Sequence, residues 1–136
     1  MFAPKAPHTF TPPPGGKPRV LVVDDEPVVR GVAKLMLEMT GYAVEEAADA
    51  SQAFALVRSA AVPFAAVLLD YTLPDRTGLE ILTELRHLAP ESRIVLTSGR
   101  SVEDFPEHGA DAYLPKPFTK DQLLTAVRST RAPAPK

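Results

Sequence analysis

The sequence predicts an α/β fold in which a doubly wound parallel sheet of five strands is covered by helices on both faces. Strand-like and helix-like patterns alternate strictly along residues 19–130. The predicted strands are apolar at successive positions, which is typical of parallel strands buried on both faces. Right-handed crossovers leave few topologies, and the commonest order for five strands is 2-1-3-4-5.

The first predicted strand is RVLVVD at residues 19–24, and the helix after it has Pro27 in its first turn and Gly41 as its stop. This helix carries two apolar lines about a quarter-turn apart. The predicted core-facing line is Val28, Val32, Leu35, Met36 and Met39, and the second line is Val29, Ala33 and Leu37. Such an apolar excess suits docking by a partner helix, although a wide core face explains it equally well.

A second, weaker strand is predicted at YAVEEAA, residues 42–48. Asp49 with Gln52 forms a capping signal for a helix that continues to about Ala60. The third strand is the apolar run that Asp70 closes. A charge in that position is costly to bury without a partner or a metal, so Asp70 is a candidate functional residue.

The third helix is predicted to begin at a capping box formed by Thr77 and Glu80. Its apolar positions recur at helical spacing and are Leu79, Leu82, Leu85 and Leu88. The fourth strand is RIVLTS at residues 93–98, and a short fourth helix containing Pro106 is expected after it.

The fifth strand is predicted at DAYL, residues 111–114. Thr119 and Gln122 form a capping box for the last helix, which turns Leu123, Leu124 and Val127 inward. Six of the 15 prolines lie in residues 1–18 and two in residues 131–136. Such composition is typical of disordered tails, so one folded domain is predicted between them.

Composition and charge limit the class of protein. The 136 residues contain no cysteine, which excludes disulfides, thiol catalysis and thiolate metal sites. A net charge of -2 offers no basic surface, so no nucleic-acid partner is expected. No apolar run approaches the roughly 20 residues that span a bilayer, and the amino terminus lacks the apolar core of a signal peptide. We therefore expect a cytoplasmic protein with no membrane partner.

Polar residues follow the predicted strands at one edge of the sheet. Ligands of such sheets bind where the strand order reverses, between strands one and three, which end in Asp24, Asp25 and Asp70. Three carboxylates repel one another unless a cation lies among them. Oxygen ligands alone select magnesium, manganese or calcium, and open positions for water and phosphate favour magnesium. Lys116 and the Ser98 hydroxyl are predicted to reach the same edge, where they could hold a phosphoryl group.

The stretches VDDEP at 23–27, LLDYTLPDRTG at 68–78, TSG at 97–99 and KPF at 116–118 together resemble the receiver domain of bacterial two-component response regulators. The resemblance covers residues 19–130 and implies a flavodoxin-like three-layer sandwich. It also implies a phosphorelay signalling function. A histidine kinase or histidine phosphotransfer protein would supply a phosphoryl group, and a downstream protein target would read the result.

The resemblance assigns roles by position. Asp70 resembles the phosphoacceptor, and Asp24 and Asp25 resemble the acidic pair, with Asp25 the more direct Mg²⁺ ligand. Thr72 would give its backbone carbonyl to the metal. The implied protein is a phosphoacceptor that promotes its own phosphorylation and dephosphorylation rather than an enzyme with a separate substrate.

Further roles concern the switch. Ser98 resembles the hydroxyl that bonds the phosphoryl group, although Thr97 is an alternative. Tyr113 resembles the aromatic switch, and simple packing is its alternative role. Lys116 resembles the phosphate-pairing lysine, and its bond to Pro117 is expected to be cis.

Two features bear on lifetime and assembly. Thr72 and Arg100 occupy the two positions that tune the lifetime of the phosphoryl group in relatives. Neither side chain orients an attacking water well, so we expect slow self-hydrolysis of the phosphoryl group. Only 17 residues separate Ser98 from Lys116, so the fourth helix is short. Relatives often dimerise through that region, and a monomer or weak dimer is expected here.

Two alternative functions remain open. A non-phosphorylated pseudo-receiver would act only as an interaction module, but the intact acidic pair and lysine disfavour it. A Mg²⁺ phosphatase of the aspartyl-phosphate type normally carries a second acid two residues after its nucleophile, where this chain has Thr72.

Overall fold

The computed structural model describes residues 16–76, 78–99 and 109–128, with only the backbone at 78 and 79. Five parallel strands form one sheet with the order β2-β1-β3-β4-β5, which confirms the predicted fold class and topology. The strands are β1 Arg19–Val23, β2 Ala43–Ala47, β3 Ala66–Asp70, β4 Arg93–Ser98 and β5 Ala112–Pro115. The described helices are α1 Pro27–Glu38, α2 Ala50–Ser59, α3 Gly78–Leu88 and α4 Lys120–Arg128. The short helix predicted around Pro106 lies outside the described residues.

The sheet separates two hydrophobic cores because side chains alternate between its faces along each strand. Leu21 and Val23 of β1 belong to the core beneath α2 and α3, which also contains Phe54, Ile81 and Leu85. Val20 and Val22 belong to the core beneath α1 and α4, which also contains Ala33, Leu37, Leu123 and Val127. Burial of each large apolar side chain stabilises the folded state by about 1.5–3 kcal/mol. Both cores therefore stabilise the sheet that lies between them.

The core-facing line of α1 was predicted wrongly. Ala33 and Leu37, assigned to the second line, are fully buried against the sheet. Four residues of the predicted core line are exposed instead, namely Val28 (76%), Val32 (45%), Leu35 (60%) and Met39 (64%). Both lines have helical spacing, so periodicity alone does not decide which of them faces the sheet. We call these four residues the exposed α1 line.

Capping contacts begin two of the helices as predicted. At α2, Asp49 Oδ1 accepts from the Gln52 N–H at 2.8 Å. At α4, the Thr119 hydroxyl oxygen accepts from the Gln122 N–H at 3.1 Å, and the Gln122 side chain accepts from the Thr119 N–H at 2.9 Å. These reciprocal bonds satisfy N–H groups that have no partner inside the helix. The box predicted at Thr77 lies outside the described residues.

Gly41 lies in the connection between α1 and β2. Its φ is 100°, in a region that side chains disfavour, so glycine is required there for conformational reasons. The chain then enters β2, where Ala43 pairs with Arg19 and brings the strand into register beside β1.

Candidate functional site

The register of the sheet brings the polar strand ends to one edge. Asp70 pairs with Thr97, and Ser98 pairs with Pro115, the residue before Lys116. Val23 pairs with Leu69, so Asp24 follows β1 beside Asp70. Parallel strands in register therefore place carboxylates, hydroxyls and an amine at the carboxyl edge, where ligands bind in such folds.

Asp24, Asp25 and Asp70 form an acidic cluster, with one carboxylate oxygen of each within 4.8 Å of the others. Asp24 is 3% exposed and Asp70 is 4% exposed, whereas Asp25 is open to solvent. A donor set of carboxylate oxygens fits a hard divalent cation such as Mg²⁺ or Ca²⁺. One exposed carboxylate beside two buried ones leaves room for water or phosphate oxygens on the solvent side.

Lys116 holds the cluster together electrostatically. Its Nζ lies 2.9 Å from Asp24 Oδ2 and 3.6 Å from Asp70 Oδ1. Burial lowers the pKa of Lys116, but its hydrogen bond to Asp24 and the charges of Asp70 and Asp24 raise that pKa above its ordinary value on balance. The amine therefore stays charged at neutral pH. The peptide bond between Lys116 and Pro117 is cis.

The environment of Asp70 raises the pKa of its carboxyl group to about 6. Burial is the largest cause, and the negative charge of Asp24 adds to it. The Lys116 charge and a hydrogen bond from the Thr72 N–H to Asp70 Oδ1, 3.2 Å long, act in the opposite direction. Because a nearby cation favours the ionised form, a divalent ion in the cluster would favour the charged carboxylate of Asp70.

The hydroxyls at the end of β4 are both buried. Thr97 Oγ1 lies 3.5 Å from the Leu69 carbonyl oxygen, so this hydroxyl faces the backbone of the neighbouring strand. Ser98 is the last residue of β4, at the edge itself. Tyr113 is half-buried and packs against the core beneath α2 and α3. The switch roles of Ser98 and Tyr113 stay predictions, and Arg100 lies outside the described residues.

Contacts around the site involve residues that the sequence did not single out. Arg30 Nη1 donates to the Asp24 carbonyl oxygen at 2.8 Å, and Arg30 Nε donates to Glu46 Oε1 at 3.1 Å. The two glutamates of the weak second strand could have indicated such contacts, because a charged side chain in a parallel strand requires a partner.

Asp75 is a further residue that the sequence did not identify. It accepts hydrogen bonds from the N–H groups of Ala50 at 3.1 Å and Ser51 at 3.3 Å, at the beginning of α2. Burial acts to raise the pKa of Asp75, but these bonds and the charge of Arg76 lower that pKa on balance. These hydrogen bonds connect the loop after Asp70 to the beginning of α2.

No helix among residues 16–76, 78–99 and 109–128 combines the length and apolar character needed to cross a bilayer.

Comparisons with known proteins place this chain by sequence and by fold. A family model described as the response regulator receiver domain matches residues 20–128. The response regulator MprA of Mycolicibacterium vanbaalenii is 40% identical over 115 residues, which cover 82% of this chain and 49% of that protein. MprA of Mycobacterium avium is 38% identical over 115 residues, with 82% and 50% coverage. The chain thus spans about half the length of these curated relatives.

Solved structures share the fold. A receiver domain protein from Methanospirillum hungatei, described as CheY-like, is 34% identical with a TM-score of 0.72, covering 80% of this chain and 89% of that one. TrrA of Thermotoga maritima, solved in complex with Mg²⁺-BeF, is 33% identical with a TM-score of 0.72 and coverages of 81% and 96%. A response regulator of Burkholderia pseudomallei, solved with a phosphorylated aspartic acid, calcium and citrate, is 30% identical with a TM-score of 0.73 and coverages of 82% and 67%.

Proposed function

Because the chain belongs to the family of response regulator receiver domains, we propose that Asp70 accepts a phosphoryl group from a histidine kinase or histidine phosphotransfer protein. The observation that carries this proposal is the convergence of three carboxylates and Lys116 at one edge of the sheet. That arrangement supplies both a nucleophile and the charges that offset an incoming phosphoryl group.

The proposed metal site consists of Asp24, Asp25 and Asp70, with the Thr72 backbone carbonyl as a further ligand. These residues supply the hard oxygen atoms that Mg²⁺ prefers. A bound Mg²⁺ would neutralise negative charge on the phosphoryl oxygens and hold Asp70 in its ionised form. The TrrA structure with Mg²⁺-BeF supports this choice of ion by relation.

The proposed transfer is an in-line displacement. An Asp70 carboxylate oxygen forms a bond to phosphorus while the bond from phosphorus to the donor imidazole nitrogen breaks, and that nitrogen keeps the electron pair. Lys116 forms an ion pair with one phosphoryl oxygen, and the Ser98 hydroxyl donates a hydrogen bond to another phosphoryl oxygen. The protein needs to supply little beyond geometry and charge neutralisation, which these side chains provide.

Phosphorylation is proposed to act through a change of surface. The Ser98 hydroxyl would follow the phosphoryl group, and Tyr113 would change its packing, so that a downstream protein binds one form in preference to the other. The acyl phosphate on Asp70 hydrolyses in time, and Thr72 and Arg100 are proposed to make that hydrolysis slow. The decay of the phosphoryl group after loading measures this lifetime, and loss within seconds would contradict the proposed slow hydrolysis.

The exposed α1 line is the proposed docking surface for the phosphodonor. A groove of about 390 Å³ beside it is lined by Val28, Val29 and Val32 together with Pro117 and Phe118. Lys116 borders the same groove, so a helix docked there would bring its histidine close to the reactive edge. An apolar line of this kind, left outside both cores, is typical of an interaction site.

Intact mass spectrometry tests the central proposal. The protein is incubated with acetyl phosphate and MgCl₂, with Asp70→Asn as the matched variant. We expect one phosphoryl adduct on the wild type, none on the variant and none after Mg²⁺ is removed by EDTA. Absence of an adduct on folded wild type would favour a non-phosphorylated interaction module. Continuous hydrolysis of a phosphomonoester would instead favour the phosphatase alternative.

A further inference from the structure

A charged residue interrupts β2 on the side of the sheet that faces α1. Glu46 pairs in register with Val22, whose side chain lies in the core beneath α1 and α4. Its Oε1 accepts from Arg30 Nε at 3.1 Å, and its Oε2 lies 3.5 Å from Lys34 Nζ. Glu46 therefore forms ion pairs with two basic side chains of α1, from a position where an apolar side chain would pack.

Arg30 connects this carboxylate to the acidic pair. Its Nη1 donates to the Asp24 carbonyl oxygen at 2.8 Å, and its side chain is only 18% exposed. A guanidinium is planar, so the bond to Glu46 fixes the direction in which Nη1 donates. The Asp24 carbonyl belongs to the peptide that leads into Asp25, and Arg30 thereby sets the orientation of that peptide.

The other polar atoms of Asp24 are held independently. Its N–H donates to the Ala47 carbonyl at 3.1 Å, and its Oδ1 accepts from the Glu26 N–H at 2.9 Å. Within the described part of the chain, no hydrogen bond or ion pair involves the Asp25 carboxylate, so the backbone alone sets the direction of the Cα–Cβ bond that carries it.

We propose that Arg30 and Glu46 are positioning residues that fix the peptide between Asp24 and Asp25, so that both carboxylates face a divalent cation. This inference rests on the proposed Mg²⁺ site. Neither residue touches the cation. They act through the backbone, as outer groups around metal sites commonly do.

The sign of the effect separates positioning from simple electrostatics. Arg30 is a positive charge close to an acidic site, so by Coulomb's law alone its removal would strengthen cation binding. If Arg30 instead orients the acidic pair, its removal weakens binding. The variant Arg30→Met therefore gives opposite results under the two explanations.

Calorimetric titration of the full 136-residue chain with MgCl₂ tests the proposal. We expect Arg30→Met to weaken Mg²⁺ binding about tenfold and Glu46→Gln to weaken it in the same direction. Arg30→Lys keeps the charge but cannot bond both partners, so it is expected to restore binding only in part. Unchanged or tighter binding by Arg30→Met would overturn the proposal.

The matched control is Glu45→Gln, which removes one negative charge from the neighbouring position of β2. Glu45 pairs with Arg19 rather than with Arg30, at 3.2 Å. We expect Mg²⁺ affinity close to wild type in this variant, and an equal loss in both glutamate variants would contradict a positioning role. If Arg30→Met does not fold, Glu46→Gln decides the question. Wild type that fails to bind Mg²⁺ would refute the proposed metal site itself.

Discussion

Asp70 is almost fully buried beside a second carboxylate, and its pKa is raised to about 6. The Lys116 amine and the Thr72 N–H offset only part of the cost of ionisation. In ion-free protein near pH 6, about half of the Asp70 side chains therefore carry a proton. In the proposed function, cation binding and proton release at this residue are coupled, so the fraction of Asp70 able to accept a phosphoryl group depends on the metal.

A pH dependence of stability follows from Asp70. An unfolded aspartate loses its proton near pH 4, whereas folded Asp70 loses it near pH 6, so its contribution to stability is present at low pH and is lost as pH rises. In EDTA, we expect the free energy of unfolding of wild type relative to Asp70→Asn to fall by roughly 2 kcal/mol between about pH 4 and pH 7. Urea unfolding measures this, and a constant difference would contradict it.

We expect Lys116 to affect the proposed cation binding and the proposed phosphoryl transfer in opposite directions. We expect Lys116→Met to slow phosphorylation by acetyl phosphate about 100-fold, because a charge that stabilises the transferring group is lost. The same variant should bind Mg²⁺ more tightly, since a competing positive charge has been removed. Adduct formation against time and calorimetry measure the two effects. Lys120→Met, at an exposed position of α4, is the control and should change neither.

At the scale of elements, the loop after β3 and helix α2 form one unit. Asp75 accepts two N–H groups at the beginning of α2, and the Arg76 guanidinium lies 5.2 Å from the centre of the Phe54 ring. Thr72 lies in the same loop, so α2 supports the backbone of a proposed metal ligand. A cap supplied by another element fixes the position of the helix as well as its end.

Removal of this cap should loosen the unit. We expect Asp75→Ala to lower the free energy of unfolding by about 1 kcal/mol, which is typical of a lost helix cap. Because the pKa of Asp75 is lowered, its contribution is present at neutral pH and is lost as pH falls below about 4. Urea unfolding at the two pH values measures this. Glu91→Gln removes an exposed charge and should leave stability unchanged.

The two apolar lines of α1 should differ in their tolerance of charge. Leu35→Glu places a carboxylate on the exposed α1 line, and we expect a thermal midpoint close to wild type. Ala33→Glu places it in the core and should abolish stable folding, because an unpaired buried charge costs several kcal/mol. Circular dichroism on heating separates the variants, and equal destabilisation would contradict the observed orientation of α1.

At the scale of the whole molecule, one reason explains why the sequence predicted both the sheet and the meeting of polar residues at its edge. Alternating strands and helices with right-handed crossovers constrain the strand order, and parallel strands bring their carboxyl ends to one edge. Asp24, Asp70 and Lys116 therefore met as the sequence indicated. The orientation of α1 and the contact from Arg30 to Asp24 were missed, because each depends on packing between segments whose relative rotation no local pattern records.

Cation binding should stabilise the whole domain. Mg²⁺ binds only the folded chain in this proposal, so it adds free energy of unfolding by mass action, about 2.7 kcal/mol at a concentration one hundred times the dissociation constant. The two cores share one sheet, so we expect the thermal midpoint of the domain to rise as a single transition. Asp25→Asn, which removes an exposed ligand, should abolish the rise. A Mg²⁺-induced shift that survives in this variant would place the ion elsewhere.

The proposed docking role of the exposed α1 line has a consequence for how signalling pathways diverge. Its side chains lie outside both cores, whereas the acidic cluster lies at the carboxyl edge of the sheet. Mutations along the line carry little folding cost, so discrimination among competing donors can drift while the chemistry stays constant. A duplicated copy of this domain can therefore become insulated from its parent through a few substitutions on one helix.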